Sequence, residues 1–164
     1  PLSLNAFTSR GGILPRPAPV VLAKDVGPGK VQSGADWEVT SAPAEHVEPW
    51  LDSLAYRIDS EEGSVVVTGD TRPCDSVVNL AKDVDTMVCL CTYIEDEQAG
   101  TPEGQYMCGS TTAAKMAQDA GAKRLVPVHQ VDIMDEPGET ERAVRDIARH
   151  YDGEIIWGRE LITV

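Results

Sequence analysis

Apolar positions in this chain come in short β-branched or alternating runs, and Gly, Pro and acidic residues punctuate them. Such runs predict strands of four to eight residues rather than long helices. Residues 20–23, 30–33 and 36–42 read as strands joined by the turns Gly27-Pro28-Gly29 and Gly34-Ala35. Residues 54–59 and 64–68 form a predicted hairpin around Glu61-Glu62-Gly63. Residues 86–91 and 123–128 are predicted buried strands, and 154–157 with 160–164 a terminal pair. Helical spacing appears in three places. Val77, Val78 and Ala81 make a stripe on a helix over 75–82, which Pro73 opens. Ala113, Ala114, Met116, Ala117 and Ala120 give a small-residue face on a helix that starts at Ser110 or Thr111. Gly121 stands where that helix should end in a left-handed cap. The third helix is predicted over 138–151.

Strand–helix–strand order after Ser64 predicts an α/β (α+β) fold, a mixed sheet with helices on its outer face. Prolines at 1, 15, 17 and 19, with Gly11-Gly12, predict an extended arm over residues 1–19, followed by one unit over 20–164. Residues 94–107 are polar and Gly-bearing, a predicted loop over the strand ends, where function concentrates.

The segment from Ser64 to Asp75 carries the chemistry. Three consecutive valines end in Gly69-Asp70-Thr71, so a buried strand delivers a carboxylate to the lip of the sheet. His46 follows the alternating run 37–42, and His129 ends the run 124–128. Three strands thus each finish in a potential ligand: His46, Asp70 and His129. Imidazole and carboxylate together suit zinc, manganese or iron. His150, near the end of the third helix, reads as structural, because a helix C-terminus favours a cation. Thr71, Arg72 and the loop at 95–107 are the expected neighbours. Arg72 is placed either on an anionic substrate group or, by its spacing, in an ion pair with Asp75.

His46 with its strand, Gly69-Asp70-Thr71-Arg72-Pro73, and Arg124-Leu125-Val126-Pro127-Val128-His129 resemble the C-terminal half of the αββα metallo-β-lactamase fold. The similarity is to its ribonuclease Z and arylsulfatase-like branch, from about residue 31 to 129. The resemblance implies a metal-dependent hydrolase of phosphodiesters or related esters. It makes His46 a ligand of a first metal, Asp70 the bridging aspartate and His129 a ligand of a second, with Asp70 and His129 serving catalysis. The chain departs from the pattern in its missing H-x-H-x-D-H loop, since its three histidines are His46, His129 and His150. Leu90 stands where the ribonuclease Z pattern has a glutamate. The resemblance therefore implies a truncated or divergent member, weak or inactive alone, with an incomplete metal site. The alternative is a non-catalytic binding or structural module that keeps the fold.

Composition narrows the partners. A net charge of -13 argues against nucleic acid and against anionic membrane surfaces. No apolar stretch approaches the roughly 20 residues that span a bilayer, and residues 1–10 lack a signal-peptide pattern. The cytoplasm is the expected compartment, with Cys74, Cys89, Cys91 and Cys108 reduced. Cys89 and Cys91 should share one strand face as small buried residues, while Cys74 lies close enough in sequence to Asp70 to be weighed as a soft ligand. A half-fold would leave one sheet face bare. The expected partner is a second copy in a homodimer, or another chain that supplies the missing half.

Overall fold

The structure, a computed structural model, describes residues 2–16, 22–98 and 100–164. Seven strands form one sheet in chain order: β1 (Gly29–Ser33), β2 (Trp37–Ala44), β3 (Ser53–Ser60), β4 (Gly63–Val67), β5 (Thr86–Leu90), β6 (Arg124–Val128) and β7 (Glu154–Ile155). β1 to β4 run antiparallel to their neighbours, and β4 to β7 are parallel. The change to parallel pairing comes where helical connections replace tight turns, as parallel strands require. These connections contain α2 (Asp75–Leu80), α4 (Ser110–Ala120) and α5 (Glu139–Ile147), and a short turn of helix, α3 (Glu95–Gln98), precedes α4. The mixed sheet with helices that the alternating runs predicted is the observed architecture.

Helix α2 lies over β2 and β3, α4 over β5 and β6, and α5 against α4. Register decides which side chains meet them. Val66, Met87 and Leu125 pair across β4, β5 and β6 in one row, and all three are fully buried. The next row, Val67–Val88–Val126, points to the opposite face, where Val67 is 41% exposed and Val88 half-buried. The small residues of α4 are buried as their spacing predicted, and Gly121 closes the helix at φ 68°. Arg57 of β3 reaches the other end of α2, donating to the carbonyls of Leu80 and Lys82.

Four expectations need correction or restriction. The segment at 1–19 is not simply an extended arm: Leu2–Ser9 forms a helix, α1. Its residues contain neither Gly nor Pro, and the breakers that suggested an arm follow it, Pro1 excepted. The predicted strand at 20–23 falls partly outside the described residues, and Leu22 and Ala23 have no regular structure. The loop at 94–107 contains α3 and a 3₁₀ turn at Glu103–Gln105. Of the terminal pair of strands, only Glu154–Ile155 is a strand; 160–164 turns away, with Leu161 at φ 63° and fully exposed. Among the described residues no helix is long and apolar enough to cross a membrane.

Asp85, in the turn before β5, ties three elements together. It accepts from the Ser64 amide (2.8 Å) and hydroxyl (2.9 Å) and pairs with Lys123 at 2.6 Å. The Lys123 hydrogen bond foremost, then those from Ser64, hold its carboxyl well below the usual carboxylate range. A depressed folded-state value gives stability that is complete above the unfolded value, about 3.9, and lost as pH falls below it. Asp85→Asn should therefore be less stable than the parent at neutral pH and lose less on acidification below about pH 4. Urea midpoints measured across that range check the sign, and parallel curves for the two proteins would refute it.

Candidate metal centre

Asp70 follows β4 through Gly69, whose φ of 61° turns the chain at the strand end and exposes the carboxylate. His46 arrives from the other side of the sheet. Past β2, Glu45 forms an antiparallel bridge with Arg72, in which the Arg72 amide donates to the Glu45 carbonyl at 2.8 Å. The Glu45 amide donates to Thr71 Oγ1 at 3.1 Å, and that hydroxyl donates to the Arg72 carbonyl at 2.7 Å. Thr71 is fully buried in this clip, a structural role rather than a chemical one. The clip places the residue after Glu45 beside the residue before Thr71, which are His46 and Asp70.

His129 ends β6 at φ 64°. A left-handed backbone is uncommon outside glycine, although Asn, Asp and His adopt it more readily than other residues. The three side chains meet. His46 Nε2 stands 4.0 Å from Asp70 Oδ2, and His129 Nε2 stands 3.7 Å from Asp70 Oδ1. Each carboxylate oxygen thus faces a different imidazole.

Neither gap is a hydrogen bond. Ligand atoms on one tetrahedral zinc stand roughly 3.3 Å apart, given bonds near 2.0–2.1 Å. The observed gaps of 3.7 and 4.0 Å exceed that by about 0.4 and 0.7 Å. His46 Nδ1 lies 3.0 Å from the Tyr106 carbonyl. A carbonyl only accepts, so Nδ1 carries the proton and Nε2 presents its lone pair on the Asp70 side, the tautomer a metal ligand needs. Donor types and orientation therefore fit a metal. Among the described residues, no group of three or more His, Cys, Asp or Glu side chains closes around one ion. The trio is a partial donor set.

The neighbours are sorted differently from expectation. Arg72 pairs with Glu45 at 2.7 Å and Glu48 at 3.3 Å, not with Asp75. The bridge aims its side chain back at the β2 end, and Glu45 raises its pKa further. These residues, with His46, Gln105 and Tyr106, line a polar cavity of about 240 Å³. Cys74 is no ligand in this arrangement: its sulfur lies against the Thr71 and Ser76 hydroxyls inside the core. All four cysteines are free and buried, and burial foremost pushes the Cys91 thiol up. His150 follows α5 beside Asp146, as a structural residue would. The Tyr106 carbonyl was invisible in sequence, because a backbone acceptor leaves no residue-type signal.

A sequence profile of the beta-lactamase superfamily domain matches residues 8–130. Ribonuclease Z of Mycobacterium tuberculosis is 31% identical over 140 residues, spanning 79% of this chain and 50% of that protein. The matched curated relatives are spanned over 21% to 61% of their length. The metallo-beta-lactamase fold protein YhfI from Bacillus subtilis superposes with a TM-score of 0.66 at 20% identity, covering 82% of this chain and 52% of that one. Zinc-bound PqqB from Methylobacterium extorquens shares the fold at a TM-score of 0.50 and 17% identity, over 78% and 50% of the two chains.

Proposed function

The chain belongs to the beta-lactamase superfamily, and from that membership we propose that His46, Asp70 and His129 are its contribution to the metal centre of a hydrolase. The reading rests on one observation, the carboxylate whose two oxygens face two different imidazoles. His46, Asp70 and His129 would together hold the metal, Asp70 offering one oxygen on the side of each imidazole. Zinc suits the imidazole–carboxylate set, as do manganese and iron. Bound there, such ions supply Lewis-acid activation of water near neutral pH. The chain's own part is to hold the donors at fixed spacing, to keep His46 in its ligating tautomer and to present Asp70 on an open rim. Phosphodiesters or related esters are the proposed substrates, and the charge of -13 disfavours a nucleic acid held by this chain alone.

The three remain a partial donor set. The remaining ligands come, in this reading, from a second polypeptide segment, and the chain by itself is weak or inactive. A second reading draws on the sheet face opposite the helices, where Val67, Val88 and Val128 remain partly exposed. There the chain is a non-catalytic module, paired with a second copy across that face. Metal content and sedimentation mass of one zinc-dialysed sample separate the readings. A monomer that retains zinc supports the metal centre. A dimer without metal supports the second reading, and a metal-free monomer sinks both.

A further inference from the structure

The segment between Ile94 and Met107 bonds His46 through the Tyr106 carbonyl. A carbonyl's position is inherited from wherever its segment is fastened, and here the fastenings are at α4 and at Cys108, whose carbonyl accepts from the Thr92 amide at 3.0 Å. Gly109, preceding α4, has no side chain to cap the helix. Glu95 caps it instead, from α3. Its Oε2 accepts from the Thr112 amide at 3.2 Å and from the Thr112 hydroxyl at 3.1 Å. A carboxylate is well placed there, against unsatisfied amides and the positive end of the helix. The Glu95 amide also donates to Ser110 Oγ at 3.1 Å.

The fit depends on the missing side chain. A Cβ on Gly109 would stand 2.5 Å from Glu95 Oε2 and 2.6 Å from the Tyr93 ring. The Tyr93 hydroxyl adds a second fastener, donating to the Gly104 carbonyl at 3.2 Å, two residues before Tyr106. The path is continuous: α4 holds Glu95 and Tyr93, these hold the segment, and the segment holds the acceptor for His46 Nδ1.

We propose that Glu95 is a positioning residue for His46. By capping α4 from outside the helix it fixes the Tyr106 carbonyl, and so the tautomer that turns Nε2 toward Asp70. The purpose of that arrangement rests on the metal reading; the arrangement itself is readable without metal. With three histidines in the chain, imidazole ¹⁵N spectra of the metal-free full chain, taken above the histidine titration range, give three separable reporters. His46 should appear in the Nδ1–H form in the parent protein. In Glu95→Ala it should shift toward the Nε2–H form that an unconstrained histidine side chain favours in water, while His129 and His150 stay unchanged. Zinc affinity should fall by about 10-fold or more, as when an outer partner of a ligand is lost. Retention of the Nδ1–H form in Glu95→Ala overturns the proposal. Should that variant not fold, Tyr93→Phe, which deletes only the hydroxyl on Gly104, is read by the same His46 signal with the same two outcomes. A parent protein with His46 in the Nδ1–H form but without zinc uptake sinks the metal reading and leaves this one standing.

Discussion

Asp70→Asn is expected to abolish zinc binding at the rim while leaving the fold intact. The carboxylate is 42% exposed and follows a glycine turn, so its charge supports little of the packing. Asparagine keeps the shape and one acceptor oxygen but loses the charge and the second oxygen. The site uses both, because Oδ1 and Oδ2 face different imidazoles. If Asp70 serves the proposed centre, its loss removes a direct donor, so the effect should exceed the 10- to 100-fold typical of outer-sphere partners. His129→Ala should weaken uptake less, since it removes a donor beside only one of the two Asp70 oxygens. Titration calorimetry with zinc on the parent and both variants, beside thermal melts, checks the order. Equal zinc affinity in the parent and Asp70→Asn would remove Asp70 from the centre.

How much of this site the sequence disclosed depends on what kind of group each part uses. His46, Asp70 and His129 were legible because each terminates an apolar run, and strands deliver their ends to a common rim. Their convergence was implied by the family resemblance and not by spacing. It depends on the Glu45–Arg72 bridge, which pairs backbone atoms between residues that share no pattern. The partner of Arg72 was misread for the same reason, since spacing favours a neighbour three residues on and the bridge brings in one 27 residues back. The cap on α4 was anticipated from Ser110 or Thr111, yet a glutamate from another element supplies the carboxylate.

The fold shows the same division. β2 was visible from alternation and β4 to β6 from short apolar or β-branched runs, β5 and β6 being buried along most of their length. α1 was hidden by breakers that follow it. The predicted strand at 160–164 failed for lack of a neighbour: β7 already pairs with β6, and its ladder continues only through the Ile156 and Gly158 amides, which donate to Leu125 and Pro127. Apolar character alone does not make a strand without an edge to join.

The helix side of the core gives the second large effect. Leu125 is fully buried in the row shared with Val66 and Met87 beneath the helices. Truncation there leaves a cavity in the middle of the sheet, so Leu125→Ala should cost about 2–5 kcal/mol. Val67 is one residue from Val66 but on the other face, 41% exposed. In a monomer, Val67→Ala should cost within roughly 0.5 kcal/mol, as other surface changes do. A second copy on that face would bury Val67, and the cost would then grow with protein concentration, since dimer stability depends on it. Chemical unfolding of both variants at two concentrations well apart separates these cases. A large penalty for Leu125→Ala with a small, concentration-independent one for Val67→Ala fixes the hydrophobic core to the helix side and argues against the homodimer. Equal penalties for both would mean that the sheet is covered on both faces.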